Sequence, residues 1–157
     1  MKKLILGASC LLAVCGVRAE NVVIDPASGE TTNVQTRLTG DVSVTVNSGE
    51  TDGGIVKLNP INSYTGGTTL GCGTLELARG DAASGLSDIG AGGLTLGVGT
   101  LRYAGLRDGV LSAAVTSAFT SLMTNRTCVL DVRNDLHVTG NWTQNYGTFI
   151  KTGPGTV

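Results

Sequence analysis

The sequence is poor in the side chains on which metal binding and much enzyme chemistry depend. It contains a single histidine, four cysteines and one tryptophan among 157 residues, and aromatic residues make up only 4% of the chain. No spacing of these histidine and cysteine residues suits a zinc ion. We therefore predict no metal site and no cofactor.

The sequence also lacks an excess of positive charge. Lysine and arginine number 11 against 12 aspartate and glutamate residues. Three of the cations, Lys2, Lys3 and Arg18, lie in an N-terminal segment that we expect to be removed. The remaining chain is mildly acidic and has no basic stripe to neutralise phosphates, so nucleic acid is not expected as a partner.

The N-terminal segment has the layout of a secretory signal peptide. Two lysines precede an apolar run over residues 4–17, which ends just before Arg18 and Ala19. The run is shorter than the roughly 20 residues of a membrane-spanning helix, and no later stretch of that length is apolar enough. We predict that residues 1–19 are cleaved off before Glu20 and that the chain is exported; an uncleaved signal anchor is the alternative.

Removal of the signal leaves two cysteines, Cys72 and Cys128. They could form one disulfide in an oxidising compartment. That bond requires Cα atoms within about 7 Å of each other, which the sequence alone does not establish. Two buried, unreactive thiols are the preferred interpretation.

Glycine, in contrast, is abundant. The chain contains 24 glycines, yet 41% of its residues are hydrophobic and only 15% are charged, which is too apolar for a disordered segment. The glycines keep no three-residue period, so collagen is excluded. Frequent turns between short β-rich runs remain, and we predict an all-β fold.

A repeated pattern in the middle of the chain indicates a solenoid. Three copies of one pattern occur between residues 54 and 96. Each copy has a glycine, then two positions of which the second is aliphatic, then a polar residue and a leucine. Leu58, Leu77 and Leu96 are therefore equally spaced. Their period of about 20 residues fits one coil of a solenoid, which is stable only when stacked on its neighbours. Alternation along each copy predicts that the leucines point inward.

A ten-residue signature lies around the second copy. It consists of Asn62, Tyr64, Thr65, Gly66, Gly67, Thr68, Gly73, Thr74, Leu75 and Leu77. This signature resembles the autotransporter-associated β-strand repeat of bacterial passenger domains, and residues 151–157 are similar to the opening half of that repeat. The resemblance implies a right-handed parallel β-helix, that is, a β-solenoid.

The resemblance also implies a function. It suggests an exported, non-catalytic segment at the surface of a Gram-negative-type bacterium, serving as a stalk or adhesin scaffold. Its partners would be the outer-membrane translocation machinery, if a translocator barrel is encoded downstream, and a host-surface or glycan ligand. A carbohydrate-active or cell-wall-glycan-binding β-helix is the alternative.

The pattern of residues divides the chain into five segments. They are the signal peptide at 1–19, an N-terminal β region at 20–53, β-helix repeats at 54–105, a helical or irregular insertion at 106–128, and further coils at 129–157, the last of which stops within a repeat.

Apolar residues at helical spacing distinguish the insertion. They run from Val110 to Met123, and Asp108 is suited to cap the N-terminus of a helix. We therefore predict a single helix over residues 109–124. Two more coils of the solenoid are the competing interpretation, because serine, threonine and valine have poor helix propensity.

Four residues are candidates for catalysis. Asp131, Arg133, Asp135 and His137 alternate along the sequence, so one continuous strand would place all four on one face. Carboxylates beside such groups serve general acid–base catalysis, including glycoside hydrolysis. The interpretation that we prefer is an ordinary solvated strand face, which shows the same alternation.

Two aromatic residues near the C-terminus suggest a sugar-binding platform. Trp142 and Tyr146 flank Gln144 and could stack on a sugar ring. We expect them instead to pack at the edge of a coil, which is the commoner role of such residues.

Overall fold

The chain folds into stacked parallel β-strands. The structure, a computed structural model, describes residues 4–6, 21–49, 52–58, 61–78, 88–119, 121 and 126–157. Within these residues the chain forms 17 strands and no helix. The predicted signal cleavage site between Ala19 and Glu20 lies outside the described residues.

Two long sheets contain most of the strands. The seven-stranded sheet consists, in spatial order, of β1 (Leu4–Leu6), β2 (Asn21–Ile24), β5 (Ser43–Val46), β8 (Thr68–Leu70), β10 (Leu94–Leu96), β13 (Val115–Ser117) and β16 (Trp142–Thr143). The six-stranded sheet consists of β3 (Thr31–Val34), β6 (Ile55–Leu58), β9 (Thr74–Leu77), β11 (Thr100–Tyr103), β14 (Thr127–Val132) and β17 (Thr148–Thr152). Two short sheets pair β4 (Thr39–Gly40) with β7 (Ser63–Tyr64), and β12 (Gly109–Leu111) with β15 (Leu136–Val138).

Each turn of the chain is one coil of a solenoid. A coil places one strand in the seven-stranded sheet and the next in the six-stranded sheet. Several coils add a strand to a short sheet before the chain returns to begin the next coil. About five coils stack in this way, and every strand pair is parallel. The predicted parallel β-solenoid is therefore confirmed.

The core is a set of side-chain columns that run along the solenoid axis. Val56, Leu75, Leu101 and Leu130 stack in register on the inner face of the six-stranded sheet, and all four are buried. Neighbouring strands lie only about 4.8 Å apart, so each side chain touches the one above and the one below. A coil thus gains its apolar contacts from its neighbours, as a solenoid requires.

Part of the predicted leucine register is confirmed. Leu58 and Leu77 pair in register across β6 and β9, and both are fully buried. The same register between Leu77 and Leu96 is wrong. Leu77 aligns with Tyr103 in the six-stranded sheet, whereas Leu96 aligns with Leu70 in the seven-stranded sheet.

The best-preserved repeat is longer than the period predicted from the leucines. Residues 66–75 read GGTTLGCGTL and recur as GGLTLGVGTL over residues 92–101. Each copy spans a strand of the seven-stranded sheet, a tight glycine turn and the start of a strand of the six-stranded sheet. Within one copy, the strand of the seven-stranded sheet and the strand of the six-stranded sheet have similar residue patterns. The shorter period predicted from the leucines therefore matches a strand of one sheet with a strand of the other.

The predicted helix over residues 109–124 is wrong, and the competing interpretation of strands describes this region. The chain forms β12 and β13 here, while residues 120 and 122–125 lie outside the described residues. Leu111 and Val115 are fully buried. Strand β13 pairs with β10 on one side and β16 on the other, which satisfies its backbone groups. This pairing and burial override the helical spacing.

The structure explains the residue type at several positions of the ten-residue signature. The Asn62 side chain joins three coils, because its Oδ1 accepts a hydrogen bond from the Leu38 N–H at 2.8 Å and its amide donates to the Asp88 carbonyl. Gly67 and Gly73 adopt φ angles of 85° and 63°. Residues with a side chain avoid that region, so glycine suits both turns.

Cys72 and Cys128 are both buried and free. Burial raises the pKa of the Cys72 thiol, and it raises that of Cys128 to about 11. Because the thiolate is the reactive form, both thiols are protected chemically as well as sterically.

This protection predicts the reactivity of the two thiols. In the folded chain we expect neither Cys72 nor Cys128 to be alkylated by iodoacetamide near neutral pH, and both to be alkylated in denaturant. Peptide mapping by mass spectrometry distinguishes the two sites. Rapid modification of Cys128 under native conditions would contradict the burial described here.

Candidate functional site

An ion-pair ladder occupies the outer face of the six-stranded sheet. Lys57, Glu76, Arg102 and Asp131 lie in register on four consecutive strands, so their charges alternate along the axis. Lys57 Nζ lies 2.9 Å from Glu76 Oε1, Arg102 Nη1 lies 3.4 Å from Glu76 Oε2, and Arg102 Nε lies 2.7 Å from Asp131 Oδ2. Each charge is thus held by its neighbours in the adjacent coils.

Arg102 is the central cation of this ladder. Its hydrogen bond to Asp131, reinforced by the one to Glu76, raises the pKa of its guanidinium above the usual value. The Glu76 side chain is only 11% exposed. Charges that are paired and partly desolvated in this way are suited to holding coils together.

Removing one ladder charge should weaken the stack. Glu76→Gln should lower the free energy of unfolding by about 1 kcal/mol at low salt, because it leaves two cations without their shared carboxylate. Chemical denaturation measures the effect, and added salt should reduce it. Glu30→Gln is the control, since Glu30 is exposed and forms no ion pair among the described residues.

The four catalytic candidates do not share one strand face. Asp131 lies in β14 and belongs to the ladder, with Arg133 Nε at 3.9 Å from its Oδ2. Strand β14 ends at Val132, and the chain bends at Arg133 and Asn134 before β15 begins. His137 therefore lies in a different sheet, where it pairs with Val110. The continuous strand face predicted from alternation is wrong, because the chain turns a corner.

Asp135 fastens the following coil. Its Oδ1 accepts a hydrogen bond from the backbone N–H of Thr156 at 2.8 Å, and the Thr156 carbonyl accepts one from Leu136. The hydrogen bonds from Thr156, backbone first and then side chain, lower the pKa of Asp135, and His137 and Lys151 contribute further. A carboxylate kept ionised in this way suits anchoring better than acid catalysis.

The two aromatic candidates differ in their packing and exposure. The Trp142 ring packs edge-on against Phe149, with ring centroids 5.0 Å apart and an interplanar angle of 73°. Trp142 is partly buried against the core, whereas Tyr146 is exposed. Trp142 therefore packs against Phe149, in keeping with the coil-edge interpretation for that residue, whereas Tyr146 stays exposed.

A second regular array lies on the outer face of the seven-stranded sheet. Five threonines stack in register there on five consecutive strands, and we call them the threonine rank: Thr45, Thr69, Thr95, Thr116 and Thr143. All five are exposed or partly exposed. This rank was not predicted from the sequence, although the longer repeat aligns Thr69 with Thr95 and is a signal for it.

A shallow groove runs beside the threonine rank. It has a volume of about 220 Å³, and its lining includes Thr69, Leu70, Gly71, Gly97 and Val98. Because the lining comes from successive coils, the groove extends in the direction of the solenoid axis, at the ends of several strands of the seven-stranded sheet.

Comparison of the chain with protein families, with curated proteins and with solved structures finds no match.

Over the described ranges, no group of three or more His, Cys, Asp and Glu side chains is placed to hold a metal ion. The same residues include no helix that is long and apolar enough to cross a membrane.

Proposed function

We propose that the chain is an exported, non-catalytic scaffold segment of the kind found in autotransporter passenger domains. The observation that supports this most is the ion-pair ladder, in which the charged groups along one outer face bind each other across coils. Charged side chains that are paired across coils stabilise the stack. Because they are already paired, few charged groups on this face are available for catalysis.

The solenoid architecture suits a stalk. Its length grows with each added coil, by about 4.8 Å per coil. Because each coil contacts only its neighbours, such a stack forms step by step, in keeping with emergence of a chain from a membrane pore. The outer-membrane translocation machinery is the partner that this proposal requires.

Processing of the N-terminus tests the export part of the proposal. When the full chain is produced in a Gram-negative bacterium, we expect its N-terminal residue to be Glu20 and the product to lie outside the cytoplasm. Mass spectrometry of fractionated cells measures both. A cytoplasmic product that retains residues 1–19 would refute export.

An assay for catalysis tests the other part. We expect no release of reducing ends when the purified chain is incubated with acidic or neutral polysaccharides. If ends are released, and if Asp131→Asn with Asp135→Asn abolishes the release, the chain is a carbohydrate-active enzyme and the scaffold proposal is wrong.

A further inference from the structure

We propose that the threonine rank is a binding site for a neutral, extended polysaccharide that lies along the solenoid axis. The inference does not depend on export or on the scaffold role. It depends on the availability of the hydroxyls, the shape of the surface around them and its lack of charge.

The hydroxyls of the threonine rank are available to a ligand. Within the part of the chain that the structure describes, none of the five is hydrogen-bonded to another protein group. Each hydroxyl offers one donor and two acceptor positions. Successive strands set them about 4.8 Å apart in a straight line. A polymer with regularly spaced hydroxyls can bond to several of them at once.

The residues on both sides of the threonine rank have small side chains or none. The residues two positions before and after each threonine lie just beyond the ends of these three-residue strands, and beside the middle of the rank they are glycine or alanine. They are Gly67, Gly93 and Ala114 on one side and Gly71, Gly97 and Ala118 on the other. The threonines therefore stand above a floor that is mostly backbone, and a flat ligand can approach closely.

The charge of this surface selects the class of ligand. On the five strands of the rank, the threonine column and the columns on either side of it contain no charged residue, whereas the ion-pair ladder lies on the other long sheet. Arg126 is the charged residue in the lining of the neighbouring groove, and it lies outside these columns. A neutral polymer therefore fits this face better than an acidic one.

Threonine offers two kinds of contact to such a ligand. Its hydroxyl can pair with sugar hydroxyls, and its methyl group can contact the apolar C–H faces of sugar rings. The groove beside Thr69 includes the partly exposed Val98, which adds apolar surface next to the hydroxyls. Ice is the alternative ligand for a regular array of hydroxyls, but its surface is a two-dimensional lattice. A single rank with a groove beside it suits a linear polymer better.

The test is co-sedimentation of the full chain with three neutral polysaccharides: cellulose, chitin and mannan. We expect saturable binding to at least one. The double variant Thr69→Val with Thr95→Val should bind at least about tenfold more weakly, because valine keeps the branched shape and removes two hydroxyls.

The matched control is Thr74→Val with Thr100→Val, which makes the same change in the same two coils but on the six-stranded sheet. Its affinity should stay within about twofold of the parent. Equal losses in both double variants would overturn the proposal, as would absence of binding to all three polymers. If the chain bound only acidic polysaccharides, the proposal would be overturned in favour of an acidic ligand. If it bound none of the three polymers but produced thermal hysteresis in freezing water, the proposal would be overturned in favour of ice. None of these outcomes bears on export, so the scaffold proposal is tested separately.

Discussion

Leu77→Ala is expected to lower the free energy of unfolding by about 2–5 kcal/mol. Leu77 is fully buried in an inner column between Leu58 and Tyr103. Its truncation removes apolar contacts to both neighbouring coils and leaves a cavity that in-register strands cannot easily close. Urea denaturation followed by circular dichroism measures the change, provided that the transition stays two-state.

Leu106→Ala is the matched control for this prediction. The Leu106 side chain is 96% exposed, so the same truncation removes almost no buried surface. We expect its effect to lie within about 0.5 kcal/mol of zero. Similar losses at the two positions would mean that the inner columns are assigned to the wrong face.

Gly71→Ala should have the second large effect, a loss of about 1–3 kcal/mol. A Cβ atom on Gly71 would lie 2.1 Å from the backbone oxygen of Asn47 in the preceding coil. The clash involves backbone on both sides, and Gly71 N–H also donates to the Val46 carbonyl at 2.9 Å. Relief therefore requires two coils to separate. Chemical denaturation again provides the measurement.

Gly93→Ala tests whether that loss comes from close coil contact. A Cβ atom there would have its nearest contact at 3.3 Å, the Ala114 carbonyl oxygen. A small backbone shift accommodates it, and alanine also restricts the unfolded chain. We expect a change smaller than about 0.5 kcal/mol. A loss at Gly93 equal to that at Gly71 would contradict the assigned approach of the coils.

Local alternation made much of the fold predictable. The inward and outward sides of residues 55–58 follow from period-two patterning, and the structure has Val56 and Leu58 buried with Lys57 in the ladder. A solenoid also followed from repetition, because no single copy carries enough apolar surface to fold alone.

Register was less predictable because coil lengths differ. Leu77 pairs with Leu58 on one side and with Tyr103 on the other, and the second partner is the more distant along the sequence. The longer of these sequence intervals includes residues 79–87, which lie outside the described residues, and the unequal intervals break a fixed period. A single period therefore places Leu96 in the wrong sheet.

The predictions of the helix and of the catalytic strand face were wrong for a common reason. Both assumed that one local structure continues along the sequence. Val115 and Leu111 satisfy a helical spacing, yet strand partners in adjacent coils determine their conformation. Alternation from Asp131 to His137 assumed an unbroken strand, but the chain bends at Asn134. Pairing partners in other coils decide both cases, and local patterns do not contain them.

Selective disulfide cross-linking tests the stacked register most directly. In the variant with Thr74→Cys and Thr100→Cys the two cysteines pair across β9 and β11, so oxidation should join them readily. The variant with Thr74→Cys and Gly93→Cys keeps the sequence spacing of the leucines, but it places one cysteine in β9 and the other beside β10 in the other long sheet. It should remain reduced. A bond in the second variant without one in the first would contradict the coil register on which the ladder and the threonine rank both depend.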